Sequence, residues 1–216
     1  MPRQVDHALR RREVAAIACE LIASDGVEAA TVRSVAEKAR CSTTIVSHYF
    51  SNKHELLLFC YRAAAENSHA RVCAVVKKDA ADLQGCLGAL LLLDKARKRD
   101  WAVCFALWAM AVGNTAFSRE HRAWFSAAVE LITAVARETW GIETPECDDW
   151  YRTEARRLFA LVSGIAAQAV FDPSGFAPAK MREVVATEIA RIDQSRRHMH
   201  KTSASLERRM KKTGAI

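Results

Sequence analysis

The stretch CSTTIVSHYFSNKHELL, residues 41–57, decides how the chain is read. Seven of its first ten side chains carry a hydroxyl or a branched β-carbon, so intrinsic preference over residues 43–46 favours a strand. The punctuation around it favours helices. Ser42 is a good N-cap, and the residues after it fit a helix of barely two turns ending near Phe50. Asn52, with Glu55 three residues on, marks the next helix start. Upstream, Thr31 can cap a short helix from Val32 to about Arg40, with Val35, Ala36 and Ala39 facing inward. Only two or three residues join these short helices, which is helix-turn-helix spacing. A first helix from about Asp6 to Asp25 precedes them, with Gly26 where a left-handed cap residue is wanted.

The rest of the chain keeps helical periodicity. The helix begun at Asn52 runs to about Lys78. Asp79 can cap a helix through Arg99, and Asp100 another from Trp101 to Val112. Gly113-Asn114 breaks the pattern, and Phe117 to Trp140 is long and amphipathic. In GIETPECDD, Thr144 is a cap and Pro145 suits the first helical position, opening a helix that DPSGFAP stops after Phe171. Pro178 starts a last helix to about Ile192. The expectation is an all-α protein of about nine helices, with no strand and no internal repeat.

Composition narrows the function. Of 216 residues, 50% are apolar and 26% charged, ordinary for a globular protein. The run from Leu87 to Leu93 is far too short to span a bilayer, and MPRQVDHALRRRE lacks the apolar core of a signal peptide. The expected place is the cytoplasm, with no membrane partner. Seven cysteines without a CxxC pair argue against a disulfide framework or a zinc site. No GxSxG, Walker loop or HExxH is present, so no enzyme, metal or cofactor is expected. The net charge of +7 divides as +2 over residues 1–62, −1 over 63–193 and +6 over 194–216. The polar basic end reads as a disordered tail, either a DNA-binding arm or a solubilising end.

Within the helix-turn-helix, Val32, Val35, Ala36, Ala39, Ile45, Val46 and Phe50 form the inward set. Outward on its second helix stand Thr43, Thr44, Ser47, His48 and, at the edge, Tyr49. Short hydroxyls let a helix approach DNA closely, donate to phosphate or bases, and offer a Thr methyl to thymine. Backbone N–H groups from Ser42 to Thr44 point at an anion. Arg33, Arg40 and Lys53 are placed as phosphate clamps, and Arg10, Arg11 and Arg12 reach for the adjacent strand.

The segment TVRSVAEKARCSTTIVSHYFSNKHELL resembles the DNA-binding signature of TetR-family transcriptional regulators. Thr31, Val35, Ala36, Ala39, Ser42, Tyr49, Phe50, Lys53 and Leu56 fall in register over residues 10–62. Arg40 stands where the family has a turn Gly, Cys41 where it has Val, and Ser47 where an aromatic is frequent. With IVSHYF and the later stretch 100–138, the chain is most similar to the BetI-like branch of choline–betaine pathway repressors. The resemblance implies a helix-turn-helix domain over 1–62 and a ligand-binding, dimerising domain over 63–193. It implies a homodimer that reads a palindromic operator in double-stranded DNA and answers to a small-molecule inducer.

The second half can be asked on its own residues. Trp101, Phe105 and Trp108 recur at about one-turn spacing, with Phe117 and Trp124 beyond them. Such a group holds an aromatic or hydrophobic ligand, or cages a quaternary ammonium at roughly 0.5–2 kcal/mol per cation–π contact. The same spacing also describes plain core. Leu161, Gly164 and Ile165, with Val185 and Ile189 on the last helix, suit a four-helix interface between subunits. The reading is a ligand-responsive repressor. The alternative is a helical ligand-binding or interaction protein that does not read DNA specifically.

Overall fold

The computed structural model describes the backbone of residues 7–141 and 147–212, and the side chains of 7–141 and 148–197. Nine α-helices and one 3-10 turn, and no strand, occur among the described residues. The first four helices are α1 (His7–Asp25), α2 (Val32–Lys38), α3 (Thr43–Tyr49) and α4 (Lys53–Val76). The body continues with α5 (Leu83–Gly88), α6 (Lys95–Ala111), α7 (Thr115–Trp140), α8 (Cys147–Phe171) and α9 (Pro178–Lys212). Thr144 and Pro145, expected to open α8, lie outside the described residues.

Local chemistry sets the starts of α2, α3 and α4. Thr31 accepts from the Ser34 N–H at 3.1 Å, and Ser34 Oγ accepts from the Thr31 N–H at 3.1 Å, a reciprocal capping box. Ser42 caps α3 through the Ile45 N–H, and Asn52 caps α4 through the Glu55 N–H at 2.9 Å. Glu55 then reaches back to accept from the N–H and hydroxyl of Ser51, at 2.9 and 2.7 Å. Between α2 and α3, the Arg40 N–H donates to Glu37 O and the Cys41 N–H to Ala36 O, at 3.1 and 3.0 Å. This pair of bonds is a Schellman closure, and it puts Arg40 at φ 52°. Gly26 has a positive φ of 83°, but its ψ of 174° is extended rather than left-handed helical.

Two expectations about helix ends are corrected. Asp79 does not start a long helix; it accepts from the Ala81 N–H in a turn, and Asp82 caps the short α5. Asp94 caps α6, and Asp100 lies inside that helix, 2% exposed, instead of opening a new one. A buried carboxylate needs a partner. Arg71 supplies it from α4 at 2.8 Å, and Asn67 donates at 3.3 Å. The last helix, expected to end near Ile192, runs on as α9 to Lys212.

Two hydrophobic cores share the middle helices. One joins α1–α4 to Val103 and Leu107 of α6 and Phe117 of α7. The other fills the space among α5, α6, α7, α8 and α9, with Val72 from the end of α4. The expected domain boundary at residue 62 falls inside α4, which passes unbroken from the helix-turn-helix into the body. That continuity places a helical lever between the two ends.

Candidate nucleic-acid interface and ligand cavity

Helix α3 is held by Val46 and Phe50, both fully buried, and presents Ser42, Thr43, Thr44, Ser47 and His48 to solvent. Tyr49 is half-buried; its ring meets His48 edge-on at 5.1 Å, and His7 at the start of α1 lies 5.8 Å from His48. His7 was not legible as a neighbour, because nothing in its local sequence ties it to α3. One residue is corrected: Ile45 does not pair inward with Val46 but is 38% exposed. Neighbouring helical residues point about 100° apart, and the rotation of α3 that buries Val46 leaves Ile45 at the edge of the packed face.

The cations divide. Arg33 and Arg40 are exposed and make no ion pair among the described residues, so both are available to phosphate. Arg10 is paired with Glu13 at 2.7 Å, and Lys53 with Glu28 at 2.8 Å. These are exposed pairs of little strength, readily exchanged for a phosphate. Arg11 is different. Its guanidinium pairs with Glu55 and sits 5.0 and 4.7 Å from the ring centres of Phe50 and Phe59. Arg11 therefore braces α1 against α4, its guanidinium engaged with Glu55 and the two rings.

Behind the helix-turn-helix, helices α4, α6, α7 and α8 enclose a cavity of about 80 Å³ lined by Tyr61, Trp101, Trp108, Trp124, Phe125 and Phe159, among others. That is room for several waters or one compact organic group. Each tryptophan N–H is already bound: Trp101 donates to Leu90 O at 2.6 Å, Trp108 to Tyr61 Oη at 3.3 Å, and Trp124 to Glu120 at 3.1 Å. What the three indoles have left to offer a ligand is ring surface.

Polar groups are few. Tyr61 Oη lies 2.9 Å from His121 Nδ1. The Trp108 N–H can only donate, so Tyr61 Oη accepts from it, and the direction of the Tyr61–His121 bond follows the imidazole tautomer. Burial holds His121 below the ordinary imidazole value, which favours the neutral ring at pH 7. Burial likewise pushes the Cys104 thiol, beside the cavity, up to about 12. Among the described residues, no carboxylate, Lys or Arg lines the cavity. Glu120 stands outside it, held below the ordinary carboxylate value chiefly by its hydrogen bond from Arg62.

Of the five aromatic residues expected at the pocket, Trp101, Trp108 and Trp124 line it. Phe105 supports it, stacked on Trp101 at 5.2 Å. Phe117 is corrected: it is 1% exposed in the first core, edge-on to His54 at 4.9 Å. Tyr61, His121 and Phe159 went unseen: Tyr61 and Phe159 stand on α4 and α8 and share no spacing with the tryptophans, and His121 lies one turn before Trp124 and Phe125 on α7. At the expected subunit interface, Ile165 and Val185 are corrected to residues of the subunit's own core, 4% and 1% exposed. Leu161 and Ile189 are half-buried, and Gly164 is exposed. Among the described residues no group of three His, Cys, Asp or Glu could hold a metal, and no helix is long and apolar enough to cross a membrane.

A capped two-helix reader with unpaired cations beside it, joined by one continuous helix to an aromatic cavity, is an architecture suited to a DNA-binding regulator. Comparison with known proteins agrees. Residues 15–59 match the model of bacterial regulatory proteins of the tetR family, and residues 79–194 match that of the BetI-type transcriptional repressor, C-terminal part. The chain belongs to the TetR family, with a C-terminal half of BetI type. It is 29% identical over 196 residues to the HTH-type transcriptional regulator PksA of Bacillus subtilis (strain 168), covering 89% of this chain and 94% of that one. A transcriptional regulator from Rhodococcus sp. Rha1 superposes with a TM-score of 0.75 at 30% identity, over 86% of this chain and 96% of that one. A regulator from Saccharomonospora viridis, crystallised with choline, superposes with a TM-score of 0.69 at 20% identity, over 85% and 96% of the two chains.

Proposed function

We propose that this protein acts in the cytoplasm as a homodimeric repressor whose α3 helices each read half of a palindromic operator. A compact organic cation of the quaternary ammonium type, held in the aromatic cavity, releases it from DNA. The observation that carries the reading is Tyr61. It lines the cavity, bonds to His121 on α7 and accepts from Trp108 on α6, yet belongs to α4, whose first turn is capped within the helix-turn-helix. A ligand that displaces the ring cluster therefore moves the helix that carries the reader.

The cation preference comes from the groups that line the cavity. Three indole faces with their N–H groups occupied, a neutral His121 and no fixed positive charge favour a cation over an anion. The choline-bound regulator from Saccharomonospora viridis lends this support. To act as a switch, the ligand must distinguish the two forms by about 1–3 kcal/mol.

A mobility shift with the protein's own upstream region tests the DNA half, and a Thr44→Ala/His48→Ala double variant should abolish the shift. Unchanged binding by that variant would remove α3 from the reading. Tryptophan fluorescence tests the ligand half, with choline set against its neutral isostere 3,3-dimethylbutanol. Quenching by choline alone supports a cation site; equal response to both means the cavity reads shape and not charge.

A further inference from the structure

Helix α3 carries an apolar side chain that the fold does not use. Ile45 belongs to neither hydrophobic core and is 38% exposed, whereas its neighbour Val46 is fully buried. Ile is a poorer helix former than the unbranched residues that suit an exposed position, so local stability does not call for it either. At the edge of the exposed arc its nearest exposed neighbour on α3 is His48, one turn on, with Thr44 beyond it, both able to make hydrogen bonds. Its own N–H donates to the Ser42 cap at 3.4 Å, which puts it in the first turn of the helix. In a helix-turn-helix, residues near the start of the second helix meet base edges, and the flanking positions meet the backbone. The unpaired cations Arg33 and Arg40 lie outside α3, on α2 and in the turn, suited to that backbone role. The one apolar feature a base edge shows in the major groove is the 5-methyl of thymine.

We propose that Ile45 reads the methyl group of one thymine in each operator half-site. The proposal rests on α3 being the DNA reader and adds to it a specific residue, a specific atom on the base, and a sequence consequence. His48 and Thr44 supply hydrogen-bond readout on the same arc; Ile45 supplies the hydrophobic contact that hydroxyls cannot.

The experiment removes that methyl and nothing else. Within the protected operator, each thymine is replaced in turn by deoxyuridine, and affinity is measured by fluorescence anisotropy for the wild-type protein, Ile45→Ala and Ile45→Val. Wild type should lose about four-fold at one symmetry-related position, as expected for one buried methyl. Ile45→Ala should bind the unmodified operator more weakly and show no further loss at that position, while remaining sensitive elsewhere. Ile45→Val, which keeps a branched β-carbon, should retain most of the dependence. Because Ile45 lies outside both cores, circular dichroism and thermal melting of Ile45→Ala should match wild type.

The proposal is overturned if Ile45→Ala stays as methyl-sensitive as wild type at every thymine, or if wild type binds but shows no methyl-dependent position. In either case DNA reading by α3 stands without it. No binding of wild type to the operator overturns the reading itself, and the proposal with it.

Discussion

Arg40 occupies a backbone position that the fold wants and its side chain resists. The Schellman closure of α2 requires a left-handed residue there, and φ is 52°. A non-glycine residue in that region costs about 1 kcal/mol. An arginine that keeps this strain while exposed and unpaired has its use outside the subunit. Arg40→Gly should therefore act in two opposed directions. Thermal stability rises by about 1 kcal/mol, or about 2–4 °C in a chain of this size. Operator affinity falls, and the slope of log affinity against log salt drops by about one for each phosphate the protein no longer neutralises. Calorimetry and anisotropy in a salt series report the two effects separately; a stabilised variant with an unchanged salt slope would show that Arg40 holds no phosphate. His121 sets a pH limit at the same scale. Its folded pKa lies below the ordinary 6.5 because of burial, so below pH 6.5 the unfolded chain takes up more protons than the folded one. Stability should fall as pH drops from about 6.5 towards the folded value, and be flat in this respect above it. His121→Gln should flatten that acid limb in thermal melts taken between about pH 7.5 and about pH 5; an unchanged limb would assign the acid loss to other groups.

Helices α4 and α6 are tied by the Arg71–Asp100 pair, with side-chain exposures of 23% and 3%. Removing one partner of such a pair leaves an uncompensated charge, at about 3–5 kcal/mol. Asp100→Ala should cost that much in urea unfolding, and Asp100→Asn less, because the amide oxygen can take the place of Oδ2 and still accept from Arg71. Equal losses for the two would mean that packing, not charge, sets the cost. Asp100 also shows why some elements were legible and others were not. Thr31, Ser42 and Asn52 were readable as caps because each acts on an N–H within three residues of itself. Asp79, Asp94 and Asp100 look alike by that test. Which of them caps α6 was decided by Arg71, which pairs with Asp100 across 29 positions of sequence. The inward set of α3 was misjudged at Ile45 for a related reason. Propensity and hydrophobicity treat Ile45 and Val46 alike, and only the rotation of a helix pinned by Phe50 separates them. In the cavity, Trp101 and Trp108 share one helix and were visible together. Tyr61, His121 and Phe159 come from three other helices and meet only in space.

At the scale of the whole molecule, the two cores share α4, α6 and α7, so the reader and the cavity are parts of one packed body. The palindromic operator proposed above needs a second copy placed by two-fold symmetry, and we propose the exposed face of α8 as the surface that meets it. Ala160 and Gly164 are exposed one turn apart on that helix, Leu161 is half-buried beside them, and Phe171 at its end is 83% exposed. Small residues bounded by apolar ones let a partner helix approach closely. A Cβ added at Gly164 would meet no atom within 4 Å in the subunit itself, so a crowding effect there must come from outside. Glycine inside a helix also costs about 1 kcal/mol relative to better helix formers. Gly164→Arg should therefore leave the subunit folded, with the helical signal of each subunit unchanged or slightly raised. Light scattering and native mass spectrometry should show the mass falling from dimer to monomer. Operator affinity should fall about a hundred-fold or more, because two half-site contacts no longer act as one. A Gly164→Arg protein that remains dimeric and keeps its operator affinity would move the interface away from this face of α8.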